Sequence, residues 1–197
     1  PASLHRPLRG PPASLESLAD VTGRRLARVP DERGSLMPRR RILGIDPGSR
    51  RTGYGILDVR RNDLSPVVWG VIRTDSAGSF PDRLHEIHAM LSELIRLHRP
   101  TEAVVEKVFL ARNPASALKL GQARGAAIVT CRAHGLAVHE YSAKEIKLSA
   151  TGFGSAPKEQ VGGMVCRLLG IRKPVPPDAS DALAIAFCRA VSRDLPP

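Results

Sequence analysis

Everything else in this chain has to be reconciled with one stretch, Arg41-Ile-Leu-Gly-Ile-Asp-Pro-Gly-Ser-Arg-Arg-Thr-Gly-Tyr-Gly55. Ile42, Leu43 and Ile45 form an apolar run that reads as a buried strand. Asp46 stops the run with a charge. Pro47-Gly48-Ser49 reads as a turn, because proline presets φ and glycine tolerates positive φ. Tyr54, Ile56, Leu57 and Val59 then read as a second strand returning beside the first. Asp46 is thereby placed at the mouth of a hairpin, on the end of a central strand. A carboxylate there is either a solvated strand end or the anchor of a site, and three later acids bear on which.

Downstream, Val67 to Thr74 reads as a third strand, so short connections predict an antiparallel meander. Ser79-Phe-Pro-Asp82 opens a helix, with Leu84, Ile87, Leu91, Leu94 and Ile95 on one face. His85, His88 and His98 lie along it without a partner cluster and read as surface histidines. Pro100 ends the helix, and Ala103 to Val108 is strand-like, yet Glu106 interrupts it. A carboxylate near the end of an apolar strand is costly unless it is paired, hydrogen-bonded or ligating a cation. A loop to Pro114 precedes a long helix from about Ala115 to His134, whose Ala and Gly content suits either packing on the sheet or pairing with a second copy. Val138 to Tyr141 reads as a fifth strand, Lys144 to Leu148 and Lys158 to Leu169 as helices, and Asp178 to about Arg193 as the last helix. The order predicts an α/β fold with a mixed five-stranded sheet, three antiparallel strands and then parallel ones, flanked by helices.

The N-terminal 40 residues differ from this pattern. They carry six prolines and eight arginines and read as a basic, disordered arm over 1–40. The ordered domain is expected over 41–193, with 194–197 a tail. Met37 is a second candidate start, which would make 1–36 an upstream extension.

Charge narrows the function. Thirty Lys+Arg against nineteen Asp+Glu give a formal net charge of +11, which points to a polyanionic partner, most simply nucleic acid. Cys131, Cys166 and Cys188 lack CxxC spacing and read as free thiols of a reducing compartment. No apolar run of membrane-spanning length and no signal-peptide core is visible.

Asp178 and Asp181 lie three apart at a helix start, so their carboxylates face one way. Asp178 could be a helix cap and Asp181 a partner of the helix dipole. With Asp46 and Glu106, however, four acids sit at element ends. The first strand and the first parallel crossover strand are typically neighbours, which brings Asp46 beside Glu106. A last helix over the same sheet end brings Asp178 and Asp181 within reach. Four clustered carboxylates repel unless a cation neutralises them. An all-oxygen set suits Mg²⁺ or Mn²⁺, and two such ions can activate water and stabilise the leaving oxygen of a phosphodiester. A metal-dependent nuclease is the simplest reading.

On Gly44-Ile-Asp-Pro-Gly-Ser-Arg-Arg-Thr-Gly-Tyr-Gly55, Glu106-Lys-Val-Phe109, Ser116-Ala-Leu-Lys-Leu-Gly-Gln-Ala-Arg-Gly125, Lys147 with Gly152 to Ser155, and Asp178-Ala-Ser-Asp-Ala-Leu-Ala-Ile-Ala186, the chain resembles the RuvC family of bacterial Holliday-junction resolvases, within the RNase H-like superfamily. The resemblance runs from about Arg41 to Val191. It implies that Asp46, Glu106, Asp178 and Asp181 bind divalent metal, with Asp46 bridging two Mg²⁺ ions (Mn²⁺ substituting). It implies a cytoplasmic bacterial homodimer that cuts two strands of like polarity across four-way junction DNA and leaves 5′-phosphates. A branch-migration motor of RuvA and RuvB type is the implied partner. The helix from Ala115 is the expected dimer contact. Phe109 is expected to stack on an unpaired base rather than sit in the core. Arg112, Asn113, Lys119, Arg124, Lys144, Lys147 and Lys158 are the candidate DNA contacts, Lys147 and Lys158 matching basic positions near the cleavage site. Lys107 stands where the family commonly has glutamine, and the N-terminal extension is outside the family pattern.

Three other readings compete. A junction-binding protein with little cleavage would keep the fold and the basic surface. An actin-like phosphotransferase would need a second glycine-rich phosphate loop, which is not in the sequence. Another RNase H-like nuclease would share the metal chemistry on a different substrate.

Overall fold

The computed structural model describes residues 40–60, 63–107 and 114–192. All but residue 40 of the expected basic arm, the tail over 194–197, and Phe109, Arg112 and Asn113 lie outside the described residues.

The elements run β1 (Arg40–Asp46), β2 (Arg51–Arg60), β3 (Asp63–Arg73), α1 (Phe80–His98), β4 (Glu102–Glu106), α2 (Pro114–Ala133), β5 (Ala137–Tyr141), α3 (Ala143–Thr151), α4 (Lys158–Leu168) and α5 (Pro177–Val191). One five-stranded sheet has the order β3-β2-β1-β4-β5. β1 pairs antiparallel with β2, and β2 with β3, whereas β1–β4 and β4–β5 are parallel. This is the mixed RNase H-like sheet that the sequence predicts.

Two-residue alternation gives each sheet face its own core. Leu43, Ile45, Tyr54, Ile56 and Val105 face Ile87, Leu91 and Leu94 of α1 and Ala123 and Ala127 of α2. Ile42, Leu57 and Val104 face the other way, onto α3, α4 and α5. On that second face lie Gly44, Gly53 and Gly55. A Cβ on Gly44 would overlap the Ala182 carbonyl, and one on Gly53 the Asp178 carbonyl. The glycines thus form a floor that lets α5 lie against β1 and β2, and its small residues Ala179, Ala182 and Ala186 are fully buried there. A helix this close to the sheet needs small residues on both sides of the contact.

Several boundaries differ from the sequence pattern. β3 begins at Asp63, not Val67, and so contains Pro66. The strand is at the sheet edge, where a missing N–H is tolerated, and the register shifts at Ile56/Leu57 opposite it. α3 runs on to Thr151 because Gly152 takes the left-handed cap with φ 78°. α1 starts as expected, with a reciprocal cap between Ser79 and Asp82. The three cysteines are free thiols on α2, α4 and α5. Among the described residues no helix is long and apolar enough to cross a membrane.

At one end of the sheet the charges are matched in pairs. Arg41, buried at the start of β1, donates through Nε and Nη2 to Asp58 Oδ1 and Oδ2 at 2.6 and 2.9 Å. Glu102, at the start of β4, accepts from Arg40 and from Arg189 Nε at 2.8 Å. Periodicity gave no sign of these pairs.

The glycine floor yields a direct test. Gly44→Ala is expected to cost roughly 3 kcal/mol, the scale of an overpacked core, read as a lower urea midpoint. Gly163→Ala is the control: it lies within α4 where a Cβ meets nothing within 4 Å, and it should be neutral or stabilising by roughly 0.5–1 kcal/mol.

Candidate active site

The opposite end of the sheet gathers carboxylates. Ile45 is in parallel register with Val105, so the next residues, Asp46 and Glu106, end adjacent strands side by side. Both have the parity of Ile42 and Val104, the face covered by α5. Asp178 and Asp181 occupy the first two turns of α5, above the same strand ends. The helix cap position falls to Pro176 with no side-chain cap bond, so Asp178 is not a capping residue here.

Two cations reach into this cluster. Arg51, just past the β1–β2 turn, donates through Nε to Asp178 Oδ2 at 2.7 Å. Lys158, the first residue of α4, donates from Nζ to Asp181 Oδ2 at 2.9 Å. A small cavity of about 50 Å³ lies on the Lys158 side, lined by Glu106, Asp181, Lys147 and Lys158 above Ile146 and Val161. A larger hollow of about 450 Å³ sits elsewhere, at Cys166, Arg167 and Arg172, and has no carboxylate in its wall. Of the four acids, Glu106 and Asp181 line the small cavity.

The electrostatics mark Asp46 as the centre. Burial raises its pKa from 3.8 to about 7, and the negative charges of Asp181, Glu106 and Asp178 add to the rise while Lys158 opposes it. Burial also raises Glu106, with Asp181 adding to the shift and Lys158 and Lys147 opposing it. Lys158 behaves conversely. Burial alone would lower it, but the hydrogen bond and charge of Asp181, with Asp46 and Glu106, more than offset that and hold its ammonium above the ordinary lysine range. Among the described residues no group of three or more His, Cys, Asp or Glu side chains is already arranged around a single ion. Arg51 and Lys158 draw Asp178 and Asp181 onto themselves. The donor chemistry nevertheless fits a hard divalent cation: all-oxygen, desolvated, and charged beyond what two basic side chains neutralise.

The candidate DNA contacts divide. Lys147 and Lys158 stand at the rim. Lys144, exposed, lies with its stem across Gly154, where a Cβ would meet its Cγ at 2.8 Å. Lys119 is exposed on α2, away from the cavity wall. Arg124 points inward: its Nε donates to the Glu106 carbonyl at 3.0 Å and its guanidinium pairs with Glu140 on β5. The sequence offered no sign of that contact, nor of Arg51 on Asp178, since both partners are far apart in the chain. Phe109, Arg112 and Asn113 fall outside the described residues.

Known proteins resemble the chain over most of its length. The family model for crossover junction endodeoxyribonuclease RuvC matches residues 42–189. The crossover junction endodeoxyribonuclease RuvC of Methylococcus capsulatus is 55% identical over 148 residues, 75% of this chain and 88% of that protein. Its namesake in Coxiella burnetii is 52% identical over 158 residues, 80% of this chain and 91% of that protein. Among solved structures, T. thermophilus RuvC in complex with Holliday junction substrate superposes with a TM-score of 0.72 at 33% identity, covering 77% of this chain and 93% of that one. The yeast mitochondrial Holliday junction resolvase Ydc2 shares the fold, with a TM-score of 0.58 at 14% identity.

Asp46 gives the site a pH signature. Its folded-state pKa is raised from 3.8 to about 7. The stability that this carboxyl contributes is therefore fully present below about pH 4 and is lost as pH rises through about 7. Asp46→Asn removes the buried charge, so the variant should be the more stable protein at pH 8, by an amount on the order of a few kcal/mol. Melting curves should show the gap shrinking steadily toward pH 5. Adding Mg²⁺ at pH 8 should raise the Tm of the parent and leave the variant's nearly unchanged.

Proposed function

The chain belongs to the RuvC family of crossover junction endodeoxyribonucleases, and on that premise we propose that it resolves four-way DNA junctions by metal-dependent hydrolysis of two strands of like polarity. The observation that carries the reading is the convergence of Asp46, Glu106, Asp178 and Asp181 at one sheet end, where burial first and the neighbouring acids second push Asp46 up to about pKa 7. Family membership carries dependence on a divalent metal. Mg²⁺, two ions per site, is our assignment, with Mn²⁺ able to replace it. Asp46, Glu106, Asp178 and Asp181 are the residues that would hold them. When bound, such ions supply Lewis acidity toward the phosphate and a water of lowered pKa.

The chain's own side chains do the rest. Lys158, kept charged beside Asp181, offsets negative charge that builds on the phosphate during attack. Lys147 approaches the same rim and holds the flanking backbone, as Lys144 and Lys119 do further out. These contacts position DNA without reading its sequence. Phe109, Arg112 and Asn113 follow Glu106 closely in sequence and complete the DNA surface, Phe109 by stacking on an unpaired base. Arg124 is reassigned from a phosphate contact to a positioning residue that fixes the Glu106 backbone.

The active form is a homodimer joined through α2. Gly121 and Gly125 meet nothing within 4 Å, and Leu118 and Val129 are 64% and 67% exposed, so that face is left for close packing by a second copy. A two-fold axis then sets two sites against one junction. A RuvA- and RuvB-type motor is the partner that the family suggests.

The deciding assay uses a synthetic mobile four-way junction, with linear duplex and RNA–DNA hybrid as controls. Paired symmetric nicks with 5′-phosphate ends are expected on the junction alone, in Mg²⁺ or Mn²⁺. Asp46→Asn should abolish them while junction binding survives. Cutting of the hybrid instead would keep the metal site and overturn the substrate. A second expectation concerns Arg124. Arg124→Met should lower kcat roughly tenfold, the usual effect of removing a partner that orients a metal ligand, and raise the Mn²⁺ concentration for half-maximal cleavage. Its junction Kd and salt dependence should stay as in the parent, whereas a phosphate contact would alter both.

A further inference from the structure

Phe153 is the one Phe, Tyr or Trp exposed among the described residues, and at 69% it is nearly free of the fold. Single exposed apolar side chains are ordinary, and Leu97 and Leu168 are exposed as well. What separates Phe153 from these is where it stands and how it is held. It lies in the short connection between α3 and α4. The last turns of α3 carry Lys147 and the first residue of α4 is Lys158, the two lysines at the carboxylate rim.

The connection is a built turn. Gly152 adopts φ 78° and caps α3. The Thr151 hydroxyl donates to the Lys147 carbonyl at 2.8 Å and accepts from the Phe153 N–H at 3.2 Å. The Phe153 carbonyl accepts from Ala156 N–H at 3.3 Å, and Ala156 is itself buried in the α5-side core. Gly154 leaves room for the stem of Lys144 to pass directly over it. The backbone on both sides of the ring is thus fastened to the elements that carry Lys144, Lys147 and Lys158, while the ring itself contributes nothing to the core.

An aromatic face flanked by ammonium groups suits a nucleotide, with the base on the ring and the phosphates on the lysines. A duplex keeps its base faces stacked, so such a ring needs a place where stacking is broken. We propose that Phe153 is a base-stacking group of the junction site, lying against an unpaired nucleobase near the scissile phosphate while Lys144 and Lys147 hold the adjoining backbone. This rests on the junction-cleaving function given above and adds to it a second stacking contact beside that assigned to Phe109.

The test measures binding in the Asp46→Asn background, with a fluorescent four-way junction and a linear duplex of the same sequence, over a series of salt concentrations. Phe153→Ala should weaken junction binding roughly tenfold, within the range for loss of one base–aromatic stack, and leave duplex binding unchanged. The slope of log K against log salt should not move, because no phosphate contact is lost. Lys147→Ala should lessen that slope. Phe153→Trp should restore junction affinity and Phe153→Leu should not. Equal junction affinity for Phe153→Ala and its parent overturns the inference. So does an equal loss on duplex and junction, or full rescue by leucine. A parent without junction preference removes the underlying functional reading, and the parent reports that by itself before any Phe153 variant is made.

Discussion

Repulsion among four carboxylates held at one end of a rigid sheet is the constraint on which the rest of this structure depends. The two ends of the sheet make the point by contrast. At the end where β1 begins, two acids have their own guanidinium partners: Asp58 takes Arg41, and Glu102 takes Arg40 and Arg189. At the end where β1 finishes, Asp46, Glu106, Asp178 and Asp181 share, among the described residues, Lys158 and Arg51 as direct ion-pair partners. Four formal negative charges less two positive ones leave two. Burial forbids water from screening that surplus at Asp46, which responds by holding its proton to about pH 7. An arrangement that works against stability in this way persists where function requires it.

The cost is enforced by backbone. Nothing in the side chains of Asp178 and Asp181 draws them to Asp46. They arrive because α5 lies on a floor of glycines and because its inner face is alanine, so its first turns fall directly over the ends of β1 and β4. The parallel register of β1 with β4 fixes the other two acids independently. The site is therefore assembled from two contacts, a strand pair and a helix–sheet interface, each lined by buried apolar residues. Arg124 adds a third fastening, from α2 to the Glu106 carbonyl. Since the exposed face of α2 is the one assigned to a second copy, the same helix touches both the proposed dimer surface and the backbone of Glu106, a proposed metal ligand.

Much of this was legible before any coordinates. Asp46 and Glu106 stand out because each interrupts an apolar strand, where a charge is costly. The order of strands and helices predicts their adjacency, and the Asp178/Asp181 spacing predicts a shared helix face. What stayed hidden follows from the physics of pairing. Arg51 with Asp178 and Arg124 with Glu106 join residues on different elements, and a lone arginine in a basic chain gives no indication whether it faces phosphate or protein. Arg124 was accordingly read as a DNA contact on charge alone. The apolar pattern starts the third strand at Val67, whereas β3 begins at Asp63 and takes in Pro66, which an edge strand tolerates and a central one does not. The length of α3 turned on a single left-handed glycine, Gly152, whose conformation a pattern of apolar residues does not reveal. Phe153 lies inside the Gly152 to Ser155 stretch that carries part of the resemblance, yet the sequence assigns it no role, because its exposure cannot be read from sequence.

The local and global charges pull in opposite directions, and the conflict has a consequence for how such an enzyme is controlled. The chain as a whole carries +11, so DNA is drawn to it over distances set by salt screening. The rim at which we place the scissile phosphate is, by contrast, a place where carboxylates outnumber cations. Attraction at long range and repulsion at the last few ångströms separate binding from cutting: the first needs only lysine and arginine, the second needs the acids neutralised. Lys158 stands at the boundary between the two regimes. Its ammonium is bonded to Asp181 and attracted by Asp46 and Glu106. Any cation that satisfies those carboxylates weakens that hold and leaves the lysine free to turn toward phosphate. The residue that quiets the acids in isolation is thus the one best placed to meet the substrate once they are quieted by something else.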